Sequence, residues 1–353
     1  MSPKEAIRDP VFQLNLLTWM AMDQPADGFR VRPIFRQHGF QLHYIEQPFP
    51  FPTELRQAIT VAAAALNLEI KLEPEPELTI QRPADGQAIY FEAKAQGFST
   101  ASSNAKQARG HLLACGPAFA EVYHPLTKAL LDYLVPAGDS AEMRQCLIQL
   151  KTELTAAKLE TGAYAVDGLS IRETELIYHL DEPLRALLPG SADEIAVMIG
   201  LDPETDPCPL LLVYSDEDCP DATRRGHYRR ALQNQAFAKL LCTLHGRSSE
   251  RVIEISAPEL LLHTTSGVFS FLARERQKSM VRVIGENVFR RIADYWKEKL
   301  PNKVRLAGKT LIFDFTNASD REAILDWLED VKRAGFDDQK PLASAQLDLI
   351  APE

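Results

Sequence analysis

The sequence predicts an α/β fold in two parts. Strand-like runs with alternating apolar residues are interleaved with helix-like runs along the whole chain. A β-hairpin signature stands between residues 75 and 95, with a helical run on either side. From about residue 125 the pattern turns mostly helical, which places a soft boundary at 125–140 and divides the chain into 1–135 and 136–353.

The elements follow in order. FRVRPIFRQ and FQLHYIEQ, around a His38-Gly39 turn, predict an N-terminal β-hairpin over 29–49. The PFPFP segment ends it, because proline cannot continue a ladder. The alanine-rich run after Thr53 predicts a helix with Thr53 as N-cap, and a strand is expected near 68–73. PELTIQRPADGQAIYFEAKA reads as a hairpin with Ala84-Asp85-Gly86 at its tip. Next come a helix capped by Ser102 or Ser103 and closed by Gly116, and a short strand over 118–124. Helices are expected near 125–135 and 140–160, a strand over 209–215, and a basic helix near 224–245. A strand over 252–256, a long helix near 272–300 and a final strand–helix pair beginning at LIFDF complete the second part. That part reads as an α/β region whose role is DNA contact, dimerisation or partner binding.

Composition bounds the function. The 353 residues are 45% hydrophobic and 25% charged, ordinary for a globular protein with a large core. The net charge of −10 weighs against a DNA binder that is basic all over, although a basic cleft suffices. The five cysteines, Cys115, Cys146, Cys208, Cys219 and Cys242, form no C-x-x-C pair and suit a reduced, cytoplasmic setting with most thiols buried. The first residues, MSPKEAIRDP, lack a secretory pattern, and no apolar run reaches membrane-spanning length, so no membrane is expected. Zinc-ligand spacing, a phosphate-binding G-x-x-x-x-G-K-[ST] loop and a G-x-S-x-G elbow are all absent; an ATP-driven action would require a separate ATPase or helicase subunit.

The hairpin carries the chemistry. Side chains alternate across a strand, so Glu92 and Lys94 share one face while Ile89, Phe91 and Ala93 share the apolar one. Folding at 83–86 sets 82 opposite 87, 80 opposite 89 and Glu77 opposite Glu92; a two-residue slip instead sets Glu77 opposite Lys94. A one-residue slip would bury the charges and is disfavoured. Either register gathers two carboxylates and an ammonium. Directly opposed carboxylates repel, and a hard divalent cation relieves the repulsion. Such a cation also polarises a phosphodiester and activates a water, while a lysine serves that water or the developing charge.

Pro76-Glu77, fourteen residues, then Glu92-Ala93-Lys94 resembles the motif of the PD-(D/E)xK, or restriction-endonuclease-like, nuclease superfamily. The resemblance covers roughly 50–125. It implies a mixed sheet flanked by helices and a Mg²⁺- or Mn²⁺-dependent DNA nuclease. Glu77 and Glu92 would hold metal, and Lys94 would serve the water. Gln107 and His111, at i and i+4 on the next helix, resemble the Gln-x-x-x-Tyr helix of RecB-type nucleases and Holliday-junction resolvases, with His in place of Tyr. Gln107 would then position the backbone or a metal-bound water, and Glu54 is a further metal-ligand candidate. The first acid departs from the usual Asp. By analogy of fold, a prokaryotic defence role against foreign DNA is expected, as a homo-oligomer or a subunit of a larger complex.

Other candidates weigh less. Lys106 and Arg109 share the Gln107 helix and are candidate phosphate contacts, against a solvated helix face. Arg224, Arg225, Arg229 and Arg230, with His227 and Tyr228 interleaved, form a basic cluster that suits a nucleic-acid backbone. Salt bridges to Asp216, Glu217, Asp218 and Asp221 are the bland alternative. The triplet Glu69-Ile70-Lys71 lacks an upstream acidic hairpin and ranks low, as does the lone Asp314. Two rivals to an enzyme stand: a non-catalytic nuclease-fold scaffold or DNA-docking subunit, and an interaction protein in which 205–330 does the work.

Overall fold

The computed structural model describes residues 1–23, 31–119, 128–205, 207, 210–214, 219 and 221–336. The chain forms two compact units, Met1–Pro209 and Leu210–Glu353. The expected boundary at 135/136 is therefore displaced. It would cut a strand that is paired on both sides in the first unit's sheet.

The first unit opens with helices α1 (Pro3–Ala6), α2 (Pro10–Ala21) and α3 (Ile34–Gln37). It continues through α4 (Thr53–Ala65), α5 (Ser103–Ala114), α6 (Ser140–Ala156) and α7 (Glu182–Arg185). Its seven strands are β1 (Gln41–Ile45), β2 (Leu78–Arg82), β3 (Gln87–Ala93), β4 (Ala129–Pro136), β5 (Ala163–Arg172), β6 (Glu175–His179) and β7 (Glu194–Met198), side by side in chain order. Strands β1 to β3 run antiparallel, β3 to β5 parallel, and β5 to β7 antiparallel. The α/β class is thus as expected, with a mixed sheet. Parallel neighbours need a crossover, and α5 and α6 supply the two crossovers at β3–β4 and β4–β5.

Both sheet faces are buried, so β3 and β4 are buried at every position. One face meets α4, α5 and α6 through Tyr90, Leu131 and Tyr133 against Ile59, Leu112, Met143 and Leu147. On the other, the Phe35 ring of α3 lies 5.1 Å from Phe91 and 6.2 Å from Tyr178. Helix α2 is buried from Val11 to Ala21, polar residues included. Its polar side chains turn to main-chain carbonyls, as burial requires: Asn15 to Val11 at 2.8 Å, Thr18 to Leu14 at 2.7 Å, Gln13 to Ile7 at 2.7 Å and to Lys94 at 3.2 Å.

Several expected elements differ. The first strand of the N-terminal hairpin is instead α3, with the consecutive residues Ile34 and Phe35 both buried and Pro33 at its cap; residues 29 and 30 lie outside the described residues. Pro52, not Thr53, occupies the cap position of α4. Residues 68–73 are no strand. Their chain crosses α5 instead, the Lys71 amide donating to the Lys106 carbonyl at 3.0 Å. The expected strand at 118–124 falls mostly outside the described residues, as do 125–127 of the expected helix at 125–135, whose residues from Ala129 on belong to strand β4. A fully buried parallel strand is a continuous apolar run, which periodicity does not separate from a helix.

In the second unit the helices are α8 (Ala222–Gly246), α9 (Ala257–Thr264), α10 (Arg274–Ile284), α11 (Arg290–Lys299) and α12 (Ala318–Ala334). A π-turn, Gly285–Phe289, links α10 to α11, so the long helix expected near 272–300 is present with a wide turn inside it. Strands β8 (Val252–Ser256), β9 (Val304–Ala307) and β10 (Thr310–Asp314) form an antiparallel sheet with β10 central. The strand expected at 209–215 is absent over the described residues 210–214. There the Gln235 side chain does a strand's work, accepting from the Leu211 amide and donating to its carbonyl, both at 3.0 Å.

Candidate active site

The hairpin register is the first of the two foreseen. Arg82 pairs with Gln87, Ile80 with Ile89 and Leu78 with Phe91, so Glu77 and Glu92 come opposite each other one step beyond the ladder. Pro76 precedes Glu77, and its lack of an N–H suits the end of the ladder. The Glu77 side chain takes up what the ladder leaves open: its Oε2 accepts from the Ala93 amide at 2.9 Å.

Lys94 joins the two acids. Its Nζ lies 2.9 Å from Glu77 Oε1 and 2.7 Å from Glu92 Oε2. The Glu92 side chain is fully buried, while those of Lys94 and Glu77 are 15% and 22% exposed. The site thus opens to solvent from the Glu77 side. That burial sets the cluster apart from a solvated surface ion pair.

Helix α5 delivers two more groups. Gln107 Nε2 approaches Glu92 Oε2 at 3.4 Å. One turn on, the buried His111 places Nδ1 3.4 Å from Glu92 Oε1, outside hydrogen-bond geometry. His111 Nε2 accepts from the Glu75 amide at 3.2 Å, so the neutral ring carries its proton on Nδ1, facing Glu92. Gly110 allows this approach. A Cβ there would lie 2.4 Å from the Lys71 carbonyl oxygen, so the chain leading into the hairpin can pass against α5 at this point.

The electrostatics follow from a charge count. Two carboxylates and one ammonium leave one negative charge in excess in a mostly dry site. Burial raises the pKa of Glu77 to about 7, with Lys94 opposing and Glu92 adding to the rise. Burial likewise raises Glu92 against the pull of Lys94. Burial disfavours the Lys94 ammonium, yet the two carboxylates outweigh it and its pKa ends above the usual lysine value. His111 is lowered to about 3 by burial and by the Lys94 and Lys71 cations, and stays neutral.

The donor set fits a hard divalent cation on two counts. Glu77 reaches solvent, and among the described residues the buried Glu92 Oε1 has no hydrogen-bond partner. The fit is incomplete, for among the described residues no three His, Cys, Asp or Glu side chains converge as a ligand set. Glu54 does not supply a third: it is exposed in the first turn of α4, and no hydrogen bond or ion pair links it to Glu77 or Glu92.

The remaining candidates scatter. Arg109 is no surface phosphate contact. It is 8% exposed, donates twice to Glu153 Oε2 at 3.0 and 2.8 Å, and reaches the Glu69 carbonyl at 3.2 Å, clamping α5 to α6. Lys106 is exposed, 4.0 Å from Glu69. In α8, Arg224 is exposed and Arg225, Arg229 and Arg230 are half-buried, with Arg225 Nε donating to the Cys219 carbonyl at 3.0 Å. Asp221 caps α8 by accepting from the Arg224 amide at 2.8 Å, and residues 216–218 lie outside the described residues. Asp314 accepts from the Thr316 amide at 3.0 Å and lies 3.6 Å from Lys303, a turn and an ion pair. Cys115, Cys146 and Cys219 are buried, Cys242 is exposed, and Cys208 is outside the described residues.

One cluster escaped the sequence entirely: Asp132 and Asp167, both fully buried, on the sheet face away from Glu92. Asp132 fell in a segment expected to be helical and Asp167 in one without assignment, so nothing linked them.

Among the described residues no helix is long and apolar enough to cross a membrane. Compared with known proteins, the chain matches no family model, no curated protein and no solved structure.

Proposed function

We propose that this chain is a metal-dependent nuclease of PD-(D/E)xK type, hydrolysing DNA phosphodiesters at Glu77, Glu92 and Lys94. The observation that carries the reading is the joint placement of these three at the ends of β2 and β3, with Lys94 bonded to both acids and Gln107 and His111 of the crossover helix turned to Glu92. The parallel β3–α5–β4 unit behind the acidic hairpin accords with the fold that the motif implies.

In this reading Glu77 and Glu92 hold Mg²⁺ or Mn²⁺, which when bound supplies charge neutralisation on the phosphate and a more acidic water. Lys94 holds the water or the phosphate oxygen by donating a hydrogen bond. The Gln107 amide orients a Glu92 oxygen, and neutral His111 presents an N–H to the other. Cytoplasmic action on foreign DNA beside an ATP-driven subunit is the setting we infer for such an enzyme.

A scaffold reading has one observation in its favour: Lys94 already satisfies an oxygen of each acid. Calorimetric titration with Mn²⁺ separates the two. The enzyme binds Mn²⁺ in the wild type and loses it in Glu92→Gln, whereas a scaffold shows no binding that depends on Glu92.

A further inference from the structure

On the opposite face of the sheet, β4 and β5 bring Asp132 and Asp167 together with no solvent exposure. The parallel register sets Asp132 opposite Ala165 and Leu134 opposite Asp167, so the two carboxyl groups share one buried face of neighbouring strands, each within electrostatic range of the other. Carboxylate oxygens only accept, so a bond between them requires a proton on one. Asp167 Oδ1 accepts from the Asp181 amide at 2.7 Å, and Asp132 Oδ2 lies 3.5 Å from the Tyr178 hydroxyl, which donates to it. Among the described residues Asp132 Oδ1 and Asp167 Oδ2 have no hydrogen-bond partner. A carboxyl pair in so dry a place cannot hold two charges.

Among the described residues no cation is paired with either carboxyl group. From β6 comes Tyr178, and from the turn before α7 comes Asp181, a further acid, whose Oδ1 is paired with Arg144 of α6 at 3.0 Å. Glu182 and Arg185 of α7 lie toward the surface, Arg185 paired with Asp193. α1 and the 137–139 turn, which also meet β5, bring Lys4, Glu5 and Asp139; Asp139 is held by Arg8 and Glu5 by Ser2. The α2 and α3 layer brings aromatic and aliphatic side chains, with Phe35 against Phe91 and Tyr178, and α2 carries no acidic or basic residue.

We propose that Asp132 and Asp167 hold a proton between them in the folded protein, and that this proton is a pH-sensitive lock on the β4–β6 layer of the first unit. Removing it leaves two like charges in a layer between strands with no solvent exposure. The layer must then open to admit water or a cation. Burial is the largest cause raising both groups, Asp167 to about 7 and Asp132 well above the usual aspartate value, so the pair keeps its proton far above the ordinary aspartate range. Because the folded chain binds the proton more tightly than the unfolded chain, the contribution favours folding most at acid pH and is lost as pH rises.

The test uses the full chain labelled with ¹³C at the aspartate carboxyl carbons, followed by NMR from about pH 4 to about pH 9. The proposal expects a pair of carboxyl signals titrating far above the ordinary aspartates, both removed or shifted to an ordinary midpoint in Asp132→Asn. It also expects a thermal midpoint that falls by about 5 °C or more as pH rises from the ordinary aspartate range through neutrality, and that flattens in Asp132→Asn. Glu77→Gln runs beside it, because Glu77 also titrates near neutrality, and it leaves the paired signals in place. Every aspartate of the wild type titrating in the ordinary range would overturn the proposal, whether or not the variant folds.

Discussion

Glu77 and Glu92 stand opposite each other across the β2–β3 hairpin and are joined through one ammonium, Lys94 Nζ, 2.9 Å from the first and 2.7 Å from the second. The pairing leaves one negative charge uncompensated, and the behaviour of the site follows from that imbalance.

Removing the ammonium exposes the imbalance in full. Lys94→Met is expected to lower stability by about 3 kcal/mol, since truncating one member of a buried ion pair leaves the others unpaired. Added Mn²⁺ should recover part of the loss in Lys94→Met and none in Lys94→Met/Glu92→Gln. Urea unfolding with and without Mn²⁺ measures both.

Protons compete for the same charge. Glu77 sits at about 7, above its ordinary carboxylate value, so the folded state takes up a proton that the unfolded state releases. Stability from this group therefore falls as pH rises from the ordinary carboxylate range through 7, and the slope should shrink in Glu77→Gln. Mn²⁺ affinity should move the opposite way, rising through pH 7 as Glu77 loses its proton. Unfolding and calorimetry across that interval check the two signs.

His111 is expected not to titrate. Its Nε2 is engaged by the Glu75 amide, and burial with the Lys94 and Lys71 charges holds it neutral, with a pKa near 3. Nitrogen NMR should show a single tautomer with the proton on Nδ1 from mild acid to mild alkali. A protonated ring at pH 6 would refute the assignment.

Arg109 belongs to the core and not to a DNA surface. Arg109→Ala should lower stability by about 1–3 kcal/mol through the loss of charged hydrogen bonds to Glu153 and the Glu69 carbonyl. The salt dependence of DNA binding should stay unchanged, whereas a phosphate contact would reduce its slope.

Much of this site was legible because a hairpin is a local object. Alternation fixed the faces of Glu92 and Lys94 and left two registers, one of which is observed, although the charged face expected to stay in solvent is buried as well. The helix bearing Gln107 and His111 was legible from its flanking Ser102 and Gly116. What failed was non-local. β4 reads as a helix or a strand equally well, because every position from Ala129 to Pro136 is buried. The sequence does not show that Gln235 would satisfy the Leu211 main chain from 24 residues away, nor that Arg109 would meet Glu153 on another helix. Asp132 and Asp167 come together through the parallel pairing of β4 with β5, which leaves no local trace in the order of residues.

The central claim is that Glu77, Glu92 and Lys94 hydrolyse DNA with a divalent cation. The direct measurement incubates supercoiled plasmid and linear DNA with the protein in Mg²⁺, Mn²⁺ or EDTA, beside Glu92→Gln and Lys94→Ala shown to be folded. Nicked or linear plasmid is expected in the metal lanes of the wild type, none in EDTA, and a loss of about a hundredfold or more in either variant. Cutting that persists at full rate in both variants would contradict it, as would a wild type that leaves DNA intact with either metal while binding neither.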